Sequence, residues 1–357
     1  MEIGLIGLPN SGKTTIFNAL TGRAAEVTTY TDATSKPNIA VVDVIDERIT
    51  RLSEMYKPQK TTYATVQFVD FAGLARDVEG KVSFPDASIG MMRNVDTLAL
   101  VVGNFPNVLG EASAPLDEIE QMETELLVSD LIVCERRLEK IALAHKRGQN
   151  PDLIGTKLEE GILGRIQNCL NDGGRVTDMD LGRDERKMVS GFQFLTGKPL
   201  LIILNSSEDT FGKNRDLLEE IGKNHTVVEF AGTFEMELPL LDDEEKQLFM
   251  EDMGIEESAR DRLTRSAYEI SSSISFFTVG TDEVRAWNIR EGQTAVDAAG
   301  AIHSDLARGF IRAECFSYED LIACGSEKGV HDKGRFRLEG KDYIVKDGDI
   351  LAIRFSV

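Results

Sequence analysis

Short apolar, β-branched runs recur along the chain at 1–7, 39–44, 66–71, 98–102, 200–204 and 226–230. Near-continuous runs of this length suit strands covered on both faces, as in the middle of a parallel sheet. Segments of helical period lie between them. The alternation predicts an α/β class, a doubly wound and mostly parallel sheet.

The pattern changes between 102 and 200. Leu116, Ile119, Met122 and Leu126, then Leu131, Cys134, Leu138 and Ile141, follow at spacings of three and four. After the turn-like Gly148-Gln149-Asn150-Pro151 comes a second set, Leu158, Ile162, Ile166 and Leu170. This predicts either an antiparallel helical hairpin or two ordinary helices packed on the sheet. From 275 the texture changes again, with strands expected at 274–279, 343–345 and 350–355. Lys346-Asp347-Gly348-Asp349 reads as a tight turn before the last strand. The expected organisation is 1–115 and 195–274 as two parts of one α/β domain, 116–194 as a helical insertion, and 275–357 as a small α+β module.

Composition narrows the partners. The net charge is −21, which argues against a protein that coats DNA or any nucleic acid generally. The charge is uneven: residues 275–357 hold 11 basic and 14 acidic side chains, net −3, leaving −18 on the rest. Lys333, Arg335, Arg337, Lys341 and Lys346 cluster there, as a solvated strand face or an RNA-facing patch. No apolar stretch reaches about 18 residues, so no membrane partner is expected. No basic run precedes the first strand, and the four scattered cysteines form no C-x-x-C pair. A cytoplasmic protein with reduced thiols is expected.

The candidate chemistry begins at Gly7-Leu8-Pro9-Asn10-Ser11-Gly12-Lys13-Thr14, which fits G-x-x-x-x-G-K-[ST] between a strand and a helix. Such a loop converges backbone N–H groups on phosphates. It brings a lysine to the β/γ-phosphates and a hydroxyl to Mg²⁺. The phosphate ligands expected are Lys13 and the backbone of Asn10, Ser11, Gly12, Thr14 and Thr15. Asp70-Phe71-Ala72-Gly73 closes the run at 66–71. An aspartate there serves Mg²⁺, and Gly73 could approach the γ-phosphate. Thr34, in a polar loop before Pro37, is either a third metal ligand that orders with triphosphate or an ordinary loop residue. Asn205-Ser206-Ser207-Glu208 follows 200–204, where guanine-specific enzymes carry N-K-x-D. Ser206 replaces the lysine and Glu208 the aspartate, so guanine loses its usual grip and ATP is expected over GTP. Ala231 and Gly232, after the next strand, would complete the base pocket. Asp70 and Asn205 are 135 positions apart, roughly twice the spacing a compact GTPase domain needs. The surplus matches the helical insertion.

These residues resemble the YchF family of Obg-related ATPases across essentially the whole chain. The phosphate loop, Thr34 with Pro37-Asn38, Asp70-Phe71-Ala72-Gly73-Leu74 and Asn205-Ser206-Ser207-Glu208 resemble its nucleotide motifs. The segments Phe276-Phe277-Thr278-Val279-Gly280, Glu283-Val284-Arg285-Ala286-Trp287 and Gly309-Phe310-Ile311-Arg312-Ala313-Glu314 resemble its C-terminal TGS module. The resemblance implies a G domain, an inserted helical arm and a β-grasp (ubiquitin-like) TGS domain. It also implies ATP hydrolysis with Mg²⁺ and association with ribosomes or translation factors, with rRNA a candidate partner through the TGS domain and the arm; a monomer is expected. Leu74 stands where other GTPases place a water-orienting glutamine, which implies slow turnover. Asn10 resembles the asparagine that lets some relatives use K⁺. The chain departs from the family where the second switch continues as Arg76-Asp77-Val78-Glu79-Gly80, where Thr31-Asp32 precedes the first switch threonine, and where 103–115 lacks a histidine. Two other readings stay open: a nucleotide-sensing adaptor with negligible hydrolysis, and a P-loop kinase of a small acceptor. His303 and Trp287 read as a structural hydrogen-bonder and a core residue.

Overall fold

The computed structural model describes residues 1–21, 37–71, 75–76, 82–106, 110, 112–148, 153–238, 241–255 and 257–356. In chain order, β1 (Glu2–Ile6) and α1 (Lys13–Thr21) flank the phosphate loop. Then come β2 (Asn38–Asp43), α2 (Glu47–Tyr56), β3 (Lys60–Thr62), β4 (Thr65–Asp70), the two-residue strands β5 (Ala75–Arg76) and β6 (Val82–Ser83), α3 (Asp86–Met92) and β7 (Thr97–Asn104). The helices α4 (Pro115–Lys146) and α5 (Leu153–Asn171) follow, then β8 (Leu200–Ser206) and β9 (Thr226–Phe230). The C-terminal strands are β10 (Ser273–Thr278), β11 (Glu283–Arg290), β12 (Phe310–Ser317), β13 (Arg337–Glu339) and β14 (Asp349–Phe355).

One six-stranded sheet runs β2-β4-β1-β7-β8-β9. β1, β7, β8 and β9 pair in parallel, with Ile6 beside Leu100, Gly103 beside Asn205 and Asn205 beside Phe230. Every residue of β8 is buried, which is why its sequence reads as an unbroken apolar run. Ile6, Leu100, Val102, Ile202 and Leu204 form the core with Ile119, Met122 and Leu126 from the root of α4. The apolar spacing at 116–170 forms a hairpin. Cys134 and Ile141 of α4 pack on Ile162, Leu163 and Ile166 of α5. Pro115 starts α4, with Asp117 and Glu118 in its first turn and His145 and Lys146 in its last, both as the helix dipole favours.

The second sheet runs β13-β12-β14-β10-β11-β3. β10 and β11 form an antiparallel hairpin, and β14 lies parallel to β10 at Phe277 and Ile350. First and last strands side by side and parallel, with the helix Ala295–Ile302 crossing over, is the β-grasp arrangement. Residues 343–345 do not form the expected strand. Ile344 makes one isolated bridge to Thr294, Val345 N donates to Gln293 O, and Lys346 N donates to Asp349 Oδ2. The short apolar run caps the core (Val345 is buried) from within a turn.

The chain divides into two compact units, one of Glu2–Ala40 and Phe68–Ala259, the other of Met1, Val41–Gln67 and Arg260–Val357. Residues 41–67 therefore group with the C-terminal module, a division that differs from the expected edges at 115 and 274. The cause is local: Ile49 and Leu52 of α2 are buried with Phe277, Val284 and Ile350, and β3 adds a parallel strand to β11.

Candidate nucleotide site

The phosphate loop sits at the carboxyl end of β1, where parallel sheets present ligand sites. Asn10 and Gly12 both take left-handed backbone, at φ 67° and 89°. A side chain at position 12 would also collide with Asn205 Nδ2, so only glycine serves there. Ser11 N donates to Leu8 O at 3.2 Å, closing the loop. Ile16 N donates to Gly12 O at 2.9 Å, beginning α1. The first amides of α1, including those of Thr14 and Thr15, carry no intrahelical bond and suit an anion.

Two opposite charges meet beneath the loop. Lys13 Nζ donates weakly to Gly7 O at 3.4 Å. Burial pushes the Lys13 amine below its ordinary value, and the Asp70 charge pulls it partly back. Asp70 is 7% exposed. Burial pushes its carboxyl up, while Lys13 and a hydrogen bond from Asn38 draw it down. In both groups desolvation outweighs their mutual attraction, so each lacks enough counter-charge. Among the described residues, Asp70 Oδ1 and Ser11 Oγ are buried with no hydrogen-bond partner. An unpaired carboxylate oxygen beside a hydroxyl-bearing loop fits a hard cation such as Mg²⁺. No group of three or more His, Cys, Asp or Glu gathers among the described residues.

On the side where the base is expected, the polar side chains are largely engaged. Asn205 Nδ2 donates to Ser11 O at 3.0 Å, and its Oδ1 accepts from Gly232 N at 3.1 Å. It thus ties the phosphate loop to the segment after β9. Ala231 N donates to Glu235 Oε1 at 3.0 Å. Ala231 and Gly232 are therefore wall residues whose amides are taken. Ser206 is 3% exposed. Its hydroxyl donates to Glu229 Oε1 at 2.7 Å and accepts from Asn104 Nδ2 and Asn214 Nδ2, both at 3.2 Å. Glu208 stands exposed on the turn that follows. Sequence reasoning missed Glu229, Asn214 and Asn104. Glu229 was the readable one: an acid between Val228 and Phe230 in an otherwise apolar strand asks for a reason. Thr34, Gly73 and Leu74 lie outside the described residues.

A separate cavity of about 370 Å³ opens at the amino ends of the strands, lined by Leu98, Leu200, Glu123, Arg175 and His225. It contains none of the phosphate-loop residues.

A sequence-family profile described as "50S ribosome-binding GTPase" matches residues 2–135. A second, YchF-GTPase C-terminal, described as a protein of unknown function, matches 273–356. The chain is 38% identical over 365 residues to the "Ribosome-binding ATPase YchF" of Pasteurella multocida, covering 100% of this chain and 99% of that one. It is 35% identical over 369 residues to the protein of the same name from Bacillus subtilis, covering 100% of each. The solved Schizosaccharomyces pombe YchF GTPase superposes with a TM-score of 0.82 at 29% identity, over 99% of this chain and 97% of that one.

Proposed function

The chain belongs to the YchF family, and from that premise we propose that it is a Mg²⁺-dependent P-loop ATPase that works as a nucleotide switch at the ribosome. The observation that carries the reading is the pair of half-buried Lys13 and buried Asp70, the latter with an unpartnered Oδ1, both short of counter-charge. A nucleotide phosphate supplies what Lys13 lacks, and Mg²⁺ what Asp70 lacks. Asp70 and Thr14, with Thr34 from the first switch, would hold the ion. When bound, Mg²⁺ neutralises charge on the β- and γ-phosphates. The backbone of 10–15 orients the phosphates, and Lys13 stabilises charge developing on the leaving group. Leu74 cannot orient water, so intrinsic turnover is slow. Asn10, exposed and left-handed at the loop apex, is the K⁺ residue in this scheme. Equal turnover in K⁺ and Na⁺ would remove that role.

Adenine is preferred because nothing at position 206 or 208 repeats the guanine grip. The second Nδ2 hydrogen of Asn205 can serve N7 of either purine, so discrimination falls to the backbone of 206–208, whose carbonyls accept from an exocyclic amine. Calorimetry with Mg²⁺·ATP and Mg²⁺·GTP tests this. Tighter ATP binding is expected; tighter GTP binding refutes the preference. Glu208→Asp should leave the order unchanged. Association with the ribosome is proposed from the names of the full-length relatives. The leucine at position 74 also favours a second reading, a nucleotide sensor that scarcely hydrolyses. ATP turnover that ribosomes do not accelerate would favour that reading.

A further inference from the structure

We propose that Glu229 is the positioning residue of the base pocket, resting on the ATP reading above. Its carboxylate sits at the carboxyl end of β9, the edge that faces the ligand. It gathers three pieces of chain that are separate in sequence. Oε1 accepts from Ser206 Oγ at the end of β8 (2.7 Å) and from Asn214 Nδ2 (2.5 Å), just before the helix Arg215–Gly222. Oε2 accepts from Gly212 N in the intervening loop at 3.2 Å. Asn214 Nδ2 donates also to Thr210 O at 2.7 Å, so the same bracket reaches the turn at 207–211. Thr210 N and Phe211 N also donate to Ser207 O within the turn, and Lys213 ties its far side through Asp209 O at 2.7 Å and Thr210 O at 3.0 Å.

The Ser206 hydroxyl has one proton, and Glu229 holds it. Its acceptor side faces Asn104 and Asn214. The side chain at the position of the usual lysine is therefore turned inward and does not read the base. Glu208 is exposed and has no role in the bracket. Rigid backbone discriminates between an amine and a carbonyl better than loose backbone, because a wrong base then leaves a fixed polar group unpaired. Glu229 fixes Ser206 directly and, through Gly212 and Asn214, the far side of the turn that carries 207 and 208.

The test uses the full chain and three probes: Mg²⁺·ATP, Mg²⁺·GTP and Mg²⁺·tripolyphosphate, which lacks base and ribose. Glu229→Gln keeps size but loses one acceptor; Ser206→Ala removes the hydroxyl alone. Hydrogen bonds to charged groups are worth enough to predict roughly tenfold weaker ATP binding in Glu229→Gln. GTP should change less than about twofold, and tripolyphosphate not at all, which also reports an intact phosphate loop. Ser206→Ala should lower the ATP-to-GTP ratio in the same direction. If wild type prefers ATP and Glu229→Gln keeps the full ratio, the positioning role is overturned. If wild type shows no preference for ATP, the ATP reading falls instead. The positioning role then stands on both purine nucleotides weakening relative to tripolyphosphate, and falls if neither does.

Discussion

At the scale of single residues, the site is defined by groups that the protein leaves incomplete. Asp70 binds its proton more tightly in the fold than its ordinary value of 3.8 implies, because burial disfavours the ionised form. A raised carboxyl pKa favours the fold at low pH, and that contribution is lost as pH rises from 3.8 through the folded value. Mg²⁺ competes with that proton and restores the loss only where the carboxylate is ionised. Mg²⁺·ADP should therefore raise the melting temperature of wild type more at pH 8 than at pH 5. In Asp70→Asn the extra gain at pH 8 should vanish, and ATP turnover should fall by about two orders of magnitude or more. Equal stabilisation of Asp70→Asn and wild type at pH 8 would remove Asp70 from the metal site. The loop at 7–14 was legible in sequence because its residues are consecutive and its shape depends on backbone. The expected base half was legible only in part: Asn205 and Gly232, both named from sequence, meet at 3.1 Å. Asn104, Ser206 and Glu229 are brought together by the parallel register of β7, β8 and β9, and Asn214 joins them from the loop before the helix Arg215–Gly222. Ser206 is among the residues expected around the base, and its hydroxyl bonds Glu229.

At the scale of elements, the inserted arm is fixed at its root by one buried carboxylate. Asp130 of α4 is fully buried. It accepts from Leu195 N at 3.0 Å, from Thr196 N at 2.7 Å and from Thr196 Oγ1 at 2.9 Å. Arg93, following α3, adds an ion pair at 2.8 Å. The helical period places it on the buried face, four residues after Leu126 and four before Cys134, but an aspartate there names no partner. The hairpin itself was legible, since Cys134, Ile141, Ile162 and Ile166 repeat at the period of one helix face. Asp130→Ala strands two amides, a hydroxyl and the Arg93 guanidinium. It should cost about 3–5 kcal/mol in urea unfolding. A loss under about 1 kcal/mol would mean that water replaces the carboxylate and that the anchor is packing alone. The C-terminal sheet was read less well. Residues 310–317 alternate burial only in part, and 343–345 are apolar because they cap a core. Composition cannot separate a capping turn from a strand when both bury the same side chains.

At the scale of the whole molecule, the proposed docking of a chain of net charge −21 on ribosomal RNA would require local basic surface, against the chain's own field. The cluster between 333 and 346 is the sequence's candidate, and the structure divides it. Arg337 is spent internally: it bonds Asp349 Oδ1 at 3.1 Å, Tyr343 OH at 3.1 Å and Cys315 Sγ at 3.1 Å. Arg335 pairs with Asp320. Lys333, Lys341 and Lys346 are exposed. If the proposed ribosome contact uses this surface, the three lysines carry it and the two arginines hold the fold. Three phosphate contacts imply that affinity falls roughly twenty- to fortyfold between 50 and 200 mM salt. Reversing all three to glutamate should abolish co-sedimentation with ribosomes at physiological salt. It should leave ATP affinity unchanged, since none of them belongs to the nucleotide site. Arg337→Ala should instead lower thermal stability, because it leaves the buried Asp349 with one partner fewer. Co-sedimentation and salt dependence that survive the triple reversal would exclude this face as the docking surface. The acidic remainder of the chain would then have to meet basic ribosomal protein rather than RNA, and binding would be read by its insensitivity to RNA competitors.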